Sequence, residues 1–172
     1  GFLVAPLLVF TVLSTWGLRL ALRRPQVWAA AALALVLGGS YYVYTLLVPS
    51  GGYLAYWSGS FRPMLLDPGF YVRWLVFLDR NVLSAVLIFA ALAGLALFEA
   101  RGRAVAAGLW VGVALFGLTV PYLISTHDYY SLPLLPAAAL SLAPLAQPVC
   151  RALARQPAPW RLVFYGVLVL AL

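Results

Sequence analysis

The densest cluster of side chains able to do chemistry is Thr126-His127-Asp128-Tyr129-Tyr130-Ser131, followed at once by Leu132-Pro133-Leu134-Leu135-Pro136. It contains the chain's only histidine and one of its four acids. An imidazole donates or accepts a proton near neutral pH, and a phenol O–H can donate a hydrogen bond to an oxyanion. Pro133 suits a first helical turn, where its missing N–H costs nothing. Free N–H groups at such a helix start, with the positive end of the helix dipole, would form a site for an anion such as phosphate. Spacing alone is equally compatible with a simple interfacial turn whose polar groups meet water and headgroups.

Other reactive residues are sparse. Asp67, Asp79 and Asp128 are acids, but no pattern marks any of them as a general base, so the catalytic residue stays unknown. Arg62 is a purely electrostatic candidate for binding a negative group. Cys150, the single cysteine, excludes an internal disulfide and a cysteine metal cluster. No metal ligand set is assigned and the cofactor is unknown, because no phosphate loop, zinc motif or nucleophile elbow is present.

The elements that must carry these residues follow from composition. Hydrophobic residues make up 65% of the 172 and charged residues only 9%, with a mean hydropathy of +1.01. A soluble domain carries about 25% charged residues. Residues 1–18, 27–61, 81–98, 104–126 and 129–150 hold no Asp, Glu, Lys or Arg, and about 20 apolar residues suffice for a membrane-spanning helix. The run 27–37 shows none of the alternation of a membrane β-strand. The expected fold class is therefore all-α, a polytopic transmembrane helix bundle. Its helices are expected at about 1–18, 27–48, 81–99, 104–124, 132–149 and 162–172, with an outer loop over about 49–80. Gly1 stands inside an apolar run, and the last run has only 11 residues, about 16 Å of helix. The expectation is a transmembrane fragment of one larger membrane domain.

The 11 basic residues are all arginine. Arg19, Arg23, Arg24, Arg101, Arg103, Arg151, Arg155 and Arg161 fall in alternate connections, whereas Arg62, Arg73 and Arg80 share the long loop with Asp67 and Asp79. Arginine is retained in the cytoplasm, which predicts an extracytoplasmic 49–80 loop and 125–131 turn. The same scatter argues against one basic face for nucleic acid, despite a net charge of +7. Tyr41, Tyr42, Tyr44, Tyr53, Trp57 and Phe61 gather near the outer boundary, as half-polar rings do.

Within the loop, Asp67-Pro68 reads as a cap and first turn. Phe70, Trp74 and Leu78 then recur at four-residue spacing. This predicts a short interfacial helix lying against the membrane on that apolar face. Ala104, Gly108 and Gly112 form a small-residue face that permits close helix approach, more simply within one subunit than between two.

The segment HDYYSLPLLPAAALSLAP resembles the late His-x-Tyr-Tyr-x-Leu-Pro-x-x-Pro segment of bacterial GT-C superfamily membrane glycosyltransferases, the group of protein O-mannosyltransferases and aminoarabinose transferases. The stretch from Leu66-Asp67-Pro68-Gly69-Phe70-Tyr71 through Leu92-Ala93-Gly94-Leu95 is similar to that family in order and spacing, and the likeness covers about 40–148. The resemblance implies transfer of a sugar from a polyprenyl-phosphate sugar donor to an acceptor on the outer face of a bacterial plasma (inner) membrane. It implies that the acidic catalytic motif lies in an N-terminal outer loop not contained in these residues. His127 and Tyr130, which match the family segment, become the substrate-binding residues expected at the lipid phosphate, with Arg62 as an electrostatic addition. The expected partners are membrane lipid and the polyprenyl-phosphate sugar; the oligomeric state, sugar and acceptor are left open. A multi-pass transporter or permease subunit is the alternative, but it would place polar groups inside the spans, and here they gather at one boundary. A polymerase or ligase of lipid-linked glycans would share the layout.

Overall fold

Apolar runs interrupted by proline, glycine and capping residues fold here into helices alone, with no strand among the described residues. The computed structural model describes residues 4–47, 56–57 and 59–170. Tyr53, Gly1 and the last two residues of the expected final helix lie outside them.

The helices are α1 (Val4–Ala21), α2 (Pro25–Leu47), α3 (Pro68–Asn81), α4 (Ala85–Gly94), α5 (Ala100–Thr119), α6 (Pro121–Thr126), α7 (Leu134–Ala154) and α8 (Ala158–Leu170). Short 3-10 turns cover Arg62–Leu66, Leu95–Leu97 and Asp128–Tyr130. Among the described residues, α1, the Pro25–Thr45 part of α2, α5 and α7 are each long and apolar enough to cross a membrane.

Two of the expected helices are interrupted. The one placed at 81–99 begins only at Ala85, because the chain turns sharply first. Val82 N and Leu83 N both donate to Leu78 O at 2.9 Å, and Asp79 Oδ1 accepts from Ala85 N at 2.7 Å. Ser84 Oγ then caps α4 by accepting from Leu87 N at 3.4 Å. The result is a 102° angle between α3 and the Ala85–Leu97 segment. With 10 α-helical and 3 further residues, that segment is only about 20 Å long at 1.5 Å per residue. The helix placed at 104–124 starts earlier, at Ala100, and breaks at Val120. Pro121 has no N–H to continue the hydrogen-bond ladder, and it opens α6 instead.

Close approach of small residues orders the bundle. Gly108 lies so near α1 that a Cβ there would be 2.7 Å from Leu7 Cα, and Phe10 lies beside Ala100, Arg103, Ala104 and Ala107. Helix α1 therefore runs antiparallel to α5, and the small-residue face is used within the chain. Ile88 joins Leu134 and Ala137 in the core, while the Ser141 carbonyl rests on Gly94, so α4 and α7 run the same way. Trp74, Leu75, Leu109 and Trp110 close this core around Leu78 and Val113.

These directions collect the arginines after α1, at the start of α5 and at the end of α7 at one end of the bundle. The turn containing His127 lies at the other. Outward surfaces are strongly apolar: Leu35 and Leu47 on α2 are 74% and 77% exposed, and Leu162 on α8 is 72% exposed.

The interfacial reading of α3 needs one correction. Its start is as expected: Asp67 Oδ1 accepts from Gly69 N at 2.8 Å, and Arg73 Nη2 reaches Asp67 Oδ2 at 2.7 Å. The face of Phe70, Trp74 and Leu78, however, packs into the bundle. Phe70 is fully buried, Leu78 is a core residue, and the Trp74 ring lies against Gly117 of α5. Protein covers this face because the 102° turn folds α3 back over the end of α5. The side left outward carries Tyr71, Val72 and Val76.

Candidate functional site

The candidate site is built on α6 and the turn that follows it. Two hydroxyls reinforce this short helix: Ser125 Oγ donates to Pro121 O at 2.9 Å, and Thr126 Oγ1 donates to Tyr122 O at 2.7 Å. Helix α6 ends as His127 becomes extended, at φ −131° and ψ 118°, with its N–H donating to Leu123 O at 3.0 Å. The next residues close a tight turn. Asp128 Oδ1 accepts from Tyr129 N at 2.8 Å, and Ser131 N donates to Asp128 O at 2.8 Å. Ser131 is buried beneath it, donating from Oγ to Ile124 O at 3.4 Å.

This fold-back brings His127, Tyr129 and Tyr130 together. The imidazole meets the Tyr129 and Tyr130 rings edge-on at 5.5 and 6.1 Å between centroids, and the two phenols lie 4.5 Å apart. His127 Nδ1 lies 2.8 Å from Thr126 Oγ1. Partial burial pushes the Tyr130 phenol above its ordinary pKa, and its hydrogen bond with Tyr129 adds to the shift. Tyr130 therefore stays a neutral phenol throughout the ordinary pH range, its proton directed to Tyr129.

Arg62 reaches this end of the molecule through aromatic packing. Its neighbour Phe61 stacks on Tyr122 at 4.5 Å, and Trp57 stacks on both, at 5.3 and 5.2 Å. Tyr122 O is in turn held by Thr126, which contacts His127. No hydrogen bond or ion pair joins Arg62 to His127 or Tyr130 among the described residues; the three share a region rather than a contact. Sequence reasoning missed Tyr122, and it named Thr126 in the cluster without giving it a role. The signal for them was Pro121, which restarts the helix and turns both toward the loop.

One expectation about the site is corrected. The start of α7 offers no free N–H to an anion. Pro133 and Pro136 have none, Leu134 N donates to Ser131 O at 2.9 Å, and Leu135 N donates to Leu132 O at 3.0 Å. Two apolar concavities lie elsewhere on the molecule. One, of about 380 Å³, lies between Leu153, Gln156, Trp160, Val163 and Phe164, and the other, of about 330 Å³, between α1 and the start of α5. His127 and Tyr130 sit on a half-buried surface turn.

The acids at this end of the bundle are engaged in structure. Arg73 and the Gly69 N–H hold the Asp67 carboxyl below its ordinary pKa, which makes it a weak base. Asp79 fixes the turn before α4, and Asp128 its own turn. Among the described residues, no three of His, Cys, Asp and Glu gather as a metal site would require.

Compared with known proteins, the chain matches no family, no curated sequence and no solved structure. What the structure defines, among the described residues, is an all-helical chain with four helices long and apolar enough to span a bilayer.

Proposed function

We propose that this chain is part of an integral membrane glycosyltransferase that moves a sugar from a polyprenyl phosphate to an acceptor at the extracytoplasmic face of a bacterial plasma membrane. The observation that carries the reading is the placement of His127, Tyr129, Tyr130 and Arg62 at one end of an otherwise apolar bundle, opposite the arginine-rich end. Chemistry on a lipid-linked phosphate belongs at such a boundary, where the lipid tail stays in hydrocarbon and the headgroup meets polar donors. Arg62 and the Tyr129–Tyr130 phenol pair supply donors for the departing phosphate, and the HDYYSLPLLP segment supplies the resemblance. The 102° turn supports an interfacial position for α3. With α4 along the bundle axis, α3 lies across its end and turns Tyr71, Val72 and Val76 to the headgroup region.

The test is sugar transfer by the membrane enzyme that contains this segment. His127→Ala lowers transfer roughly ten- to a hundredfold while leaving membrane insertion intact, as losing about 1.5–3 kcal/mol of hydrogen bonding to a charged or reacting group requires. An unchanged rate and donor affinity would remove His127 from the site.

A further inference from the structure

The His127 imidazole makes one polar contact within the protein, and the protons of that contact can be counted. The Thr126 hydroxyl carries a single proton. It lies 2.7 Å from Tyr122 O, which can only accept, and 2.8 Å from His127 Nδ1. Both contacts are hydrogen bonds at once only if the hydroxyl donates to the carbonyl and the ring nitrogen donates to the hydroxyl oxygen. That places the imidazole proton on Nδ1. Nε2 has no protein partner, and it is not among the unpartnered atoms sealed inside the structure; it opens to the surface of the turn. The half-buried ring is held there edge-on by Tyr129 and Tyr130.

We infer that Thr126 is a positioning residue that holds neutral His127 as its Nδ1–H tautomer, so that Nε2 meets a substrate as an acceptor for a hydroxyl and not as a donor to its phosphate. The hydrogen bonds alone carry the tautomer. The role toward a substrate hydroxyl rests on the reading of this turn as the transferase site. It divides the work within the site: the Tyr129–Tyr130 phenol pair, with one proton left to donate, faces phosphate oxygen, and His127 faces a sugar or acceptor hydroxyl. A neutral ring in this tautomer turns a lone pair toward any phosphate oxygen, and the two repel.

His127 is the one histidine of these 172 residues, and in the 15N-histidine-labelled, detergent-solubilised protein its imidazole signals are those that disappear in His127→Gln. At alkaline pH, where an ordinary imidazole is neutral, the wild type and Thr126→Ser should show a protonated Nδ1 and an unprotonated Nε2. Thr126→Val keeps the side-chain shape but removes the acceptor, and its spectrum should shift toward the Nε2–H form. Dihexyl phosphate added to the wild type at the same pH should leave Nε2 unprotonated. A wild-type ring protonated at Nε2 would overturn the inference without reference to any variant, as would a Thr126→Val spectrum identical to wild type. Protonation of Nε2 on adding dihexyl phosphate would overturn the assignment to a hydroxyl. None of these readouts depends on sugar transfer. Absence of transferase activity with the expected tautomer would instead count against the proposed function alone.

Discussion

Trp110 donates its indole Nε1–H to the Ser141 hydroxyl at 3.0 Å, joining α5 to α7 near the middle of α5. Ser141 is fully buried, and its backbone carbonyl lies against Gly94 of α4. Three helices thus meet at one serine, and the polar bond there fixes the rotation of α5 against α7 in surroundings that are otherwise apolar.

Removing either partner of that bond has unequal consequences. Ser141→Ala leaves a half-buried indole N–H without its acceptor, which costs about 1–3 kcal/mol. Trp110→Phe leaves a hydroxyl that can turn to a carbonyl of its own helix, and the loss should fall near the average of about 0.6 kcal/mol for hydrogen bonds between membrane helices. A double-mutant cycle by reversible unfolding in mixed micelles should give a coupling of about 0.5–1.5 kcal/mol. Strictly additive effects would show that packing alone holds α5 on α7.

Glycines in this chain differ sharply in what they permit. A Cβ on Gly94 would collide with the Ser141 carbonyl, which belongs to backbone and cannot swing aside. Gly94→Ala should therefore push α4 from α7 and destabilise by about 1–3 kcal/mol, as overpacking does. Gly38 and Gly39 on α2 have nothing within 4 Å. Gly38→Ala should be neutral or stabilise by up to about 1 kcal/mol through helix propensity. Thermal denaturation of the three proteins in one detergent ranks them, and equal melting points would contradict the α4–α7 contact.

The same contrast explains how far the sequence could be read. The Asp67 cap and the apolar face of α3 are local, set by spacing over a few residues, and both were legible. What that face packs against was not, since the Trp74 ring meets Gly117 more than 40 positions away and a four-residue period suits lipid as well as protein. The turn before α4 was signalled by Asn81 and Ser84, but the apolar run on either side outweighed two polar residues. At the site, the residue types of His127 and Tyr130 were legible. The loss of free N–H groups at α7 was not, because it depends on the turn backbone reaching back to Ser131 and Leu132. The Thr126–His127 contact likewise depends on His127 leaving α6 in an extended conformation.

The placement of both ends can be checked chemically. In a Cys150→Ser background, cysteines introduced at Leu66 and Tyr129, both exposed, should react with a membrane-impermeant maleimide from one side of sealed vesicles. A cysteine at Arg155 should react only from the other, since α7 separates it from Tyr129 by 21 residues, or about 30 Å. Labelling of 66 and 155 from the same side would break the alternating path on which the proposed orientation depends.

The start of α3 carries a pH dependence whose direction follows from Asp67. Its carboxyl titrates below the ordinary value because Arg73 and the Gly69 N–H stabilise the anion. The unfolded chain therefore binds more protons than the folded one between the ordinary aspartate pKa of about 3.9 and the lower folded value. The contribution of Asp67 is fully present above that window and is lost as pH falls through the folded pKa. Both side chains are half exposed or more, at 62% for Arg73 and 50% for Asp67, so salt should screen the Arg73 part. Hydrogen exchange at the Gly69 and Phe70 amides, corrected for the intrinsic pH dependence of exchange, should accelerate as pH falls through this window in the wild type. In Asp67→Asn the same amides should exchange faster at neutral pH and show no such step. A wild-type profile parallel to that of Asp67→Asn would mean that neither the cap nor its arginine holds the first turn of α3.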